Sequence, residues 1–168
     1  MREKIKLRPQ QVGDAKRFVE ILNNPKFRYF PARPESIKAE KEFLRKNIQA
    51  RQEGREFSYS ILLKNKVVGT VGLTLDPKRP YLAEIGYFVD EAYWGRGIAC
   101  RAVELVERMA FEERDVMRIE ILMVKKNKAS ERVAIKCGYK KEGIAKSKLL
   151  LFGKHEDAYV YAKVKKSM

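Results

Sequence analysis

The chain has 168 residues, 45% hydrophobic and 35% charged, a balance typical of one soluble globular domain. No apolar run reaches the roughly 18 residues of a membrane span, and the N-terminal MREKIKLRPQ lacks the apolar core of a signal peptide. With one histidine and two widely separated cysteines, Cys100 and Cys137, in no metal or redox spacing, we expect no metal site and reduced thiols in a cytoplasmic protein.

The net charge is the most distinctive feature of the composition. There are 37 Lys and Arg residues against 22 Asp and Glu, which leaves a formal charge of +15. Such a field attracts polyanions, so a ribosome, an acidic protein or a phosphorylated cofactor is an expected partner; a charge-rich, heat-adapted surface is the alternative. The basic residues are scattered, and the chain shows no recognition helix or RNA-binding aromatic motif. Direct recognition of DNA is therefore not expected.

The first half of the chain alternates between strand-like and helix-like patterns. In chain order, these patterns predict a strand over 4–8, helices over 14–22 and 36–53, and strands over 57–63, 67–75 and 81–89. Ser36 is placed to cap the second helix, and Lys64-Asn65-Lys66 to turn a β-hairpin. Between the two helices lies KFRYFPARP (26–34), an aromatic and basic segment interrupted by two prolines. This segment and the long helix after it are expected to form one wall of a substrate cleft.

The second half contains the clearest helix and the most apolar strand. The predicted elements are a helix over 97–113, a strand over 118–124, a helix over 127–137, one interrupted strand with strand-like stretches over 139–142 and 147–152, and a last strand over 158–164. The continuous apolar centre of 118–124 is typical of a strand buried on both faces. The resulting order, βααβββαβαββ, contains no repeat, low-complexity segment or linker. It predicts one α/β domain over residues 1–168.

The stretch YWGRGIACRA (93–102) places Gly95 and Gly97 around Arg96 where the helix over 97–113 begins. The first amides of a helix lack internal partners and lie at the positive end of its dipole, so they bind phosphates when no side chain blocks them. The motif lacks the Lys-Ser or Lys-Thr of a nucleotide-hydrolase phosphate loop and the third glycine of a dinucleotide fingerprint. Two interpretations stay open from these residues alone: an anion site, or glycines merely tolerated at a helix start.

Three further segments accompany the glycine motif: IGYFV (85–89), NKAS (127–130) and KCGYKKEG (136–143). Together with WGRGIA (94–99), they resemble the GNAT acetyltransferase superfamily, whose acyl-CoA motif is commonly Q/R-x-x-G-x-G/A. Trp94 departs from the first position of that motif. Tryptophan there, with the N-x-A-S and K-x-G-Y/F-x-x-E-G patterns, is similar to the branch that acetylates ribosomal-protein N-termini, which has polyamine- and antibiotic-modifying relatives.

The resemblance implies a fold and a cofactor. The fold is an α/β (α+β) domain whose mixed, mostly antiparallel sheet splays between its fourth and fifth strands and is flanked by about four helices. The cofactor is acetyl-CoA, with its pantetheine in the gap and its pyrophosphate on the amides of the glycine motif. The residues that the resemblance assigns to cofactor binding are Phe88, Val89, Arg96, Gly97, Ile98, Ala99, Cys100 and Asn127. Lys128 or Lys136 is a candidate for the ribose 3′-phosphate.

Several of the side chains that we single out also have a purely structural explanation. Asn127 is a good helix N-cap, and Ser130 is a first-turn serine, although the resembling branch uses a serine here to protonate the leaving thiolate. Tyr139 is expected in the core and His155 at the surface. Trp94 is expected to pack against its neighbours, with shaping of the acyl pocket as the alternative.

The general base is the least defined part of the predicted site. Related enzymes of the branch carry a glutamate on the strand after the last helix, but that neighbourhood here reads AKSKLLLF (145–152). Glu84 becomes the candidate because its strand leads to the cofactor gap, where a carboxylate can act through water. The predicted catalytic residues are therefore Ser130 and Glu84.

The expected acceptor is a primary amine, most simply a protein N-terminal α-amine. Neutralising an α-amine at pH 7 costs about 1 kcal/mol, against about 4.6 kcal/mol for a lysine, so a poorly defined base suits the former. A chain of charge +15 also disfavours polycationic acceptors such as spermidine or aminoglycosides. A small-amine acetyltransferase and a non-catalytic acyl-CoA-binding or RNA-binding module are the alternatives. Association with the ribosome and a homodimer stay open.

Overall fold

A seven-stranded mixed sheet forms the centre of the computed structural model, which describes residues 3–31 and 33–166. The strands are β1 (Ile5–Pro9), β2 (Glu56–Leu63), β3 (Lys66–Leu75), β4 (Leu82–Val89), β5 (Arg118–Val124), β6 (Lys140–Leu151) and β7 (Lys154–Val164). The helices are α1 (Ala15–Leu22), α2 (Ile37–Gln52), α3 (Ile98–Glu113) and α4 (Lys128–Lys136). These elements follow one another in the predicted order, and the predicted fold class is confirmed.

The strands lie in the order β1-β2-β3-β4-β5-β7-β6, and every neighbouring pair except β4 and β5 is antiparallel. The parallel β4–β5 pair is short, because only Leu82–Glu84 and Arg118–Glu120 face each other. The remaining residues of the two strands make no ladder with each other, so the sheet opens towards their carboxyl ends. This opening is the predicted splay.

Two apolar clusters hold the helices on opposite faces of the sheet. Alternation along β4 places Ile85 on the face that packs against α3, where Val103 and Val106 are almost fully buried. Phe88 lies on the other face, in a second cluster with Phe18 of α1 and Leu44 of α2. The sheet is therefore covered on both sides next to the splay, which keeps β4 in place.

The local turns follow from the residues that occupy them. Ser36 caps α2, since its hydroxyl accepts a hydrogen bond from the Ala39 amide at 3.0 Å. Lys64 and Asn65, with φ of 48° and 64°, form the tight connection between β2 and β3. In the C-terminal hairpin, the strand-like stretches 139–142 and 147–152 are joined in β6, which continues past two register shifts in its pairing with β7. The first shift leaves only Glu142 unpaired, whereas the second leaves residues 146–148 opposite residue 157 alone.

One polar cluster ties the N-terminal segment to the sheet. Asp14, only 7% exposed, receives hydrogen bonds from Arg8 at 2.8 and 3.1 Å, from the Ser60 hydroxyl at 2.7 Å and from the Gln11 amide at 2.9 Å. Burial alone raises the pKa of Asp14, but these hydrogen bonds outweigh it and hold the pKa below its ordinary value. Asp14 is therefore ionised and fully paired in the folded protein.

Within residues 3–31 and 33–166, no helix is long and apolar enough to cross a membrane.

Candidate active-site cleft

A cleft of about 860 Å³ opens where β4 and β5 part. Its walls are the segment 25–30, the end of β4, the loop into α3 with the first turn of that helix, and the residues from 126 to 136 that include most of α4. The residues lining it include six basic side chains and no carboxylate. The basic residues are Lys26, Arg28, Lys126, Lys128, Arg132 and Lys136. The cleft therefore carries a strongly positive field suited to a phosphorylated ligand.

The first turn of α3 opens directly into this cleft. The first helical hydrogen bond runs from the Arg101 amide to the Gly97 carbonyl, so the amides of residues 97–100 have no acceptor within the helix. Gly95 and Gly97 adopt φ of 77° and 74°, a region that favours glycine, and a Cβ on either would meet no atom within 4 Å. Backbone conformation and open space together leave the amides accessible to an anion.

Five predicted pyrophosphate residues fall into two groups. Gly97, Ile98, Ala99 and Cys100 all line the cleft. The Arg96 side chain does not line it; the guanidinium lies over the Tyr93 ring, 5.1 Å from its centroid, and 3.4 Å from the Glu3 carboxylate. The structure therefore places the Arg96 cation beside the helix mouth, on the protein surface.

The edge of β4 next to the gap has backbone groups that the sheet does not use. The Asp90 amide donates to the Val68 carbonyl at 2.8 Å, and Val89 stands opposite Gly69. Because bonded and non-bonded pairs alternate in an antiparallel ladder, the peptide groups of Tyr87 and Val89 point away from β3, towards the gap. The Val89 carbonyl there accepts the Trp94 indole N–H at 2.6 Å, which leaves the Val89 amide free for a ligand.

Phe88 has a different position from its neighbour Val89. Its carbonyl faces β3 so closely that a Cβ on Gly69 would lie 2.2 Å from it, which explains the glycine there. The Phe88 ring contacts the rings of Phe18, Phe27 and Phe30 edge-on, with centroids 5.6, 6.2 and 5.1 Å away. Phe88 thus lines the cleft with its side chain, while the free backbone groups belong to Tyr87 and Val89.

Ser130 lies in the cleft wall, in the first turn of α4. The Asn127 side chain caps this helix by accepting the Ser130 amide at 3.1 Å, so the predicted cap is present and its oxygen is occupied. The Ser130 hydroxyl lies 2.9 Å from the Tyr87 hydroxyl. Burial raises the pKa of Tyr87 well above its ordinary value, although the hydrogen bond to Ser130 opposes this shift. Tyr87 is therefore a stable O–H donor beside Ser130.

Reasoning from the sequence alone did not single out Tyr87. The signal was present in IGYFV (85–89), since alternation along a strand places Tyr87 on the same face as Ile85 and Val89. That face points towards α3 and α4. The polar end of a tyrosine on such a face needs a partner, and Ser130 supplies it.

Glu84 lies outside the cleft, at the point where the sheet begins to splay. It is the last β4 residue paired with β5, opposite Glu120, and alternation places its side chain on the sheet face away from α3. Its side chain is exposed, yet surrounding protein removes enough hydration to raise the pKa of its carboxyl group. Lys148 opposes this rise and Glu120 adds to it. Glu84 thus lies on β4 just before the two strands part, and it is not among the residues that line the cleft.

Residues 25–30 line the cleft, which places part of the predicted wall segment 26–34 there, whereas no described residue of α2 is among the lining residues. Phe27 packs edge-on against Trp94 at 5.6 Å between ring centroids, which closes the wall beside the α3 loop. Arg28, Tyr29 and Lys126 line both this cleft and a second cavity of about 340 Å³ next to the β6–β7 hairpin. The two cavities therefore share these three residues as part of their walls.

The remaining singled-out residues are placed as follows. Tyr139 is 3% exposed in the core, and its hydroxyl has no hydrogen-bond partner among the described residues. His155 is exposed on β7. Lys128 forms an ion pair with Glu131 at 2.9 Å. Lys136 lines the cleft, and among the described residues it forms no ion pair within α4.

The two cysteines, 37 residues apart in the sequence, are neighbours in the fold. Both are free thiols, and their Sγ atoms lie 2.9 Å apart. Cys100 lines the cleft in the first turn of α3, and Cys137, 5% exposed, follows the last turn of α4. Their spacing along the chain contained no sign of this contact.

Known proteins share both the sequence and the architecture. The chain is 37% identical over 114 residues to the probable N-acetyltransferase YjcK of Bacillus subtilis, covering 66% of this chain and 63% of that protein. It is 25% identical over 118 residues to a ribosomal-protein-serine acetyltransferase of Escherichia coli, covering 70% and 66% of the two chains. The matched segments thus span somewhat under two thirds of these relatives.

Solved structures match over nearly the whole chain. A ribosomal-protein-S5-alanine acetyltransferase of Vibrio fischeri, 25% identical, superposes with a TM-score of 0.85 and covers 98% of this chain and 94% of its own. RimL, a ribosomal L7/L12 α-N-protein acetyltransferase solved in complex with coenzyme A, is 23% identical and covers 95% and 93% at a TM-score of 0.86. At that identity, the second match shows the shared fold alone.

Fold and cleft together define an N-acetyltransferase domain, a class in which acetyl-CoA is the acyl donor. The acetyltransferase (GNAT) domain description matches residues 4–140, well over half of the sequence. The chain belongs to the GNAT acetyltransferase family, and the resemblance predicted from its motifs is confirmed.

Proposed function

We propose that this protein transfers the acetyl group of acetyl-CoA to the N-terminal α-amine of a protein, such as a ribosomal protein. The observation that carries the proposal is the lining of the cleft, with six basic side chains and no carboxylate. Such a lining attracts the phosphates of the cofactor but repels an amine in its cationic form. The acceptor must therefore lose its proton easily, and an α-amine does so at about pH 8, over two pH units below a lysine.

The chain offers matching groups for each part of the cofactor. The amides of Gly97, Ile98, Ala99 and Cys100 are placed to hold the pyrophosphate. The free peptide groups of Tyr87 form an edge along which the pantetheine can pair, as a further strand would, which leaves the Val89 amide for the thioester. Lys136 and Arg132, on the α4 side of the cleft, are placed to meet the 3′-phosphate.

Acetyl-CoA supplies the acetyl group as a thioester. The Val89 amide is the free donor positioned to polarise its carbonyl oxygen in the gap. Ser130 donates a proton towards the departing sulfur, and Tyr87, held protonated by burial, donates a hydrogen bond to the Ser130 oxygen. Glu84, which lies at the start of the splay, accepts the proton of the amine through water when its carboxyl group is ionised.

The shape of the acceptor side supports a polypeptide rather than a compact amine. The aromatic segment 25–30 narrows the cleft beside the gap, and Arg28, Tyr29 and Lys126 line both the cleft and the second cavity. An N-terminus can thus enter the gap while the following residues lie in that cavity. A chain of charge +15 is also drawn towards the anionic surface of a ribosome.

Mass spectrometry tests the proposal. We expect acetyl-CoA and enzyme to acetylate a peptide carrying both a free N-terminus and an internal lysine at the N-terminus only. The same peptide with a formylated N-terminus is the matched control and should stay unmodified. Acetylation of spermidine with no modification of N-terminal peptides would contradict the assigned acceptor, and no release of CoA with any amine would contradict catalysis itself.

A further inference from the structure

We propose that Cys100 and Cys137 form a reversible dithiol–disulfide site that the bound cofactor shields. The Sγ atoms lie 2.9 Å apart, and a disulfide bond is about 2.05 Å long, so the two sulfurs need to approach by only about 0.9 Å. Both are free thiols, one in the first turn of α3 and the other just after α4. The bond would join the two helices that flank the cleft.

The two thiols differ in accessibility, which assigns them different parts in the reaction. Cys100 lines the cleft and directs its thiol at the Glu104 carboxylate at 3.7 Å, so a reagent in the cleft meets this sulfur first. Cys137 is 5% exposed, and burial raises the pKa of its thiol. Cys137 therefore stays protonated while Cys100 reacts with the reagent, and acts as the second, resolving thiol.

The chemistry balances with a low-molecular-weight disulfide as the oxidant. The Cys100 thiolate attacks one sulfur of that disulfide, forming a mixed disulfide and releasing or opening the other sulfur as a thiolate. Cys137 then loses its proton to solvent, its sulfur attacks Cys100, and the second reagent sulfur leaves. Two electrons pass from the cysteines to the reagent, which takes up two protons as a dithiol or as two thiols.

The shielding rests on the proposed cofactor site. The Cys100 amide is one of the free amides assigned to the pyrophosphate, and its side chain lines the same cleft. A ligand held by those amides covers the route by which a reagent reaches Cys100. Disulfide formation in the free protein does not depend on that assignment, so the two parts can be measured separately.

The experiment uses the whole protein in mixtures of reduced and oxidised dithiothreitol, followed by alkylation with N-ethylmaleimide and mass spectrometry. We expect a monomer that loses two hydrogen atoms and two alkylation sites together, with Cys100 and Cys137 in one cross-linked peptide. The loop closed by the bond should raise the thermal unfolding midpoint by roughly 10 °C. Two alkylatable thiols in the most oxidising mixture, or only intermolecular dimers, would overturn the proposal.

Desulfo-CoA, which has no thiol of its own, tests the shielding. At about 100 times its Kd, we expect it to slow disulfide formation at least about tenfold. Unchanged oxidation with binding demonstrated by calorimetry would overturn the shielding alone. No binding would overturn both the shielding and the assigned cofactor site, while the disulfide measured in the free protein would still stand.

Two single substitutions keep the result independent of a folding defect. Cys137→Ser and Cys100→Ser should each prevent the intramolecular bond and the rise in the unfolding midpoint. In reducing buffer, Cys137→Ser should turn over like the unaltered protein, since the Cys137 side chain contacts the sulfur and carbonyl oxygen of Cys100 and not the amide assigned to the pyrophosphate. An unfolding midpoint that rises equally in oxidised Cys137→Ser would overturn the assignment of the bond.

Discussion

The Tyr87 hydroxyl lies 2.9 Å from the Ser130 hydroxyl, and this contact joins the end of β4 to the first turn of α4 across the floor of the cleft. Tyr87 is buried and stays protonated, because desolvation raises its pKa well above neutrality. Either hydroxyl can donate in this contact, and the Tyr87 hydroxyl also lies 3.3 Å from the Ser130 backbone carbonyl, which can accept its proton. When Tyr87 donates to the Ser130 hydroxyl, the Ser130 proton is free to point into the gap. The pair is the polar centre of an otherwise cationic and aromatic cleft.

Removal of the Ser130 hydroxyl should lower the rate of acetyl transfer more than it lowers cofactor affinity. For Ser130→Ala, we expect kcat to fall about 100-fold, since a positioned general acid contributes that much, while the Kd of acetyl-CoA changes less than about twofold. Steady-state kinetics and calorimetry give the two values. Turnover unchanged in this variant would assign the acid to another group.

Tyr87→Phe should lower kcat about tenfold, because Ser130 loses the hydrogen bond that orients it. The KM for acetyl-CoA should change little. Tyr161→Phe is the matched control, since it loses one tyrosine hydrogen bond, to Glu131 at 2.8 Å, away from the lining of the cleft. Equal losses of activity in the two variants would show a general structural effect and contradict the positioning role of Tyr87.

A side chain at Gly97 should weaken cofactor binding beyond its effect on stability. Gly97→Ala and Gly54→Ala each place alanine at a positive φ, 74° and 72°, with no atom near the added Cβ. Both should cost about 1 kcal/mol of unfolding free energy. Only Gly97→Ala puts a methyl group beside the free amides of α3, so we expect its Kd for CoA to rise at least about tenfold.

Gly54→Ala is the matched control, because it introduces the same backbone strain at a residue that does not line the cleft. Equal CoA affinity in the two variants would contradict the pyrophosphate site at α3. Denaturant titration supplies the stability values and calorimetry the affinities.

Glu84 should control the acidic side of the pH profile. Its carboxyl accepts a proton only when ionised, so kcat/KM should rise with pH through its raised pKa. Glu84→Gln should lose that limb and about 100-fold in kcat/KM. Lys148→Met removes a cation that lowers this pKa and should move the limb to higher pH, whereas Glu120→Gln should move it to lower pH. An unaltered acidic limb in Glu84→Gln would rule out Glu84 as the base.

Asp14 should make the free energy of unfolding depend on pH in the acidic range. Its pKa is depressed in the folded protein, so its contribution is present above the unfolded pKa of about 3.9 and is lost as pH falls through the lower folded value. Asp14→Asn should cost about 3 kcal/mol at pH 7, because it leaves Arg8 without its charged partner, and less at a pH below the unfolded pKa of about 3.9. Urea unfolding at both pH values measures the difference.

Asp76→Asn is the control for that prediction. Its pKa is also lowered, by hydrogen bonds that include Arg79, but the carboxylate is exposed to solvent. We therefore expect little change in stability for Asp76→Asn at either pH. A loss as large as that of Asp14→Asn would mean that charge pairing, rather than burial, sets the effect.

The order of elements and the glycine motif could be predicted from the sequence, because both depend on local patterns. Apolar periodicity predicts each helix and strand near its observed position, and Gly95 and Gly97 indicate backbone at positive φ beside open space. The same patterns predicted the cap by Asn127 and the part of the cleft wall formed by residues 26–30. Such features depend on only a few consecutive residues.

Contacts between distant segments could not be predicted in this way. The pairing of Tyr87 with Ser130, the approach of Cys100 to Cys137, and the position of Glu84 just before the gap all depend on how β4, α3 and α4 pack. Which of Phe88 and Val89 presents free backbone to the gap depends on the register with β3. The sequence by itself determined the family and the cofactor class, and it predicted the helix start that we propose to meet a phosphate. Only the tertiary structure decided which side chains lie close together there, because residues remote in sequence come into contact only when the strands and helices pack.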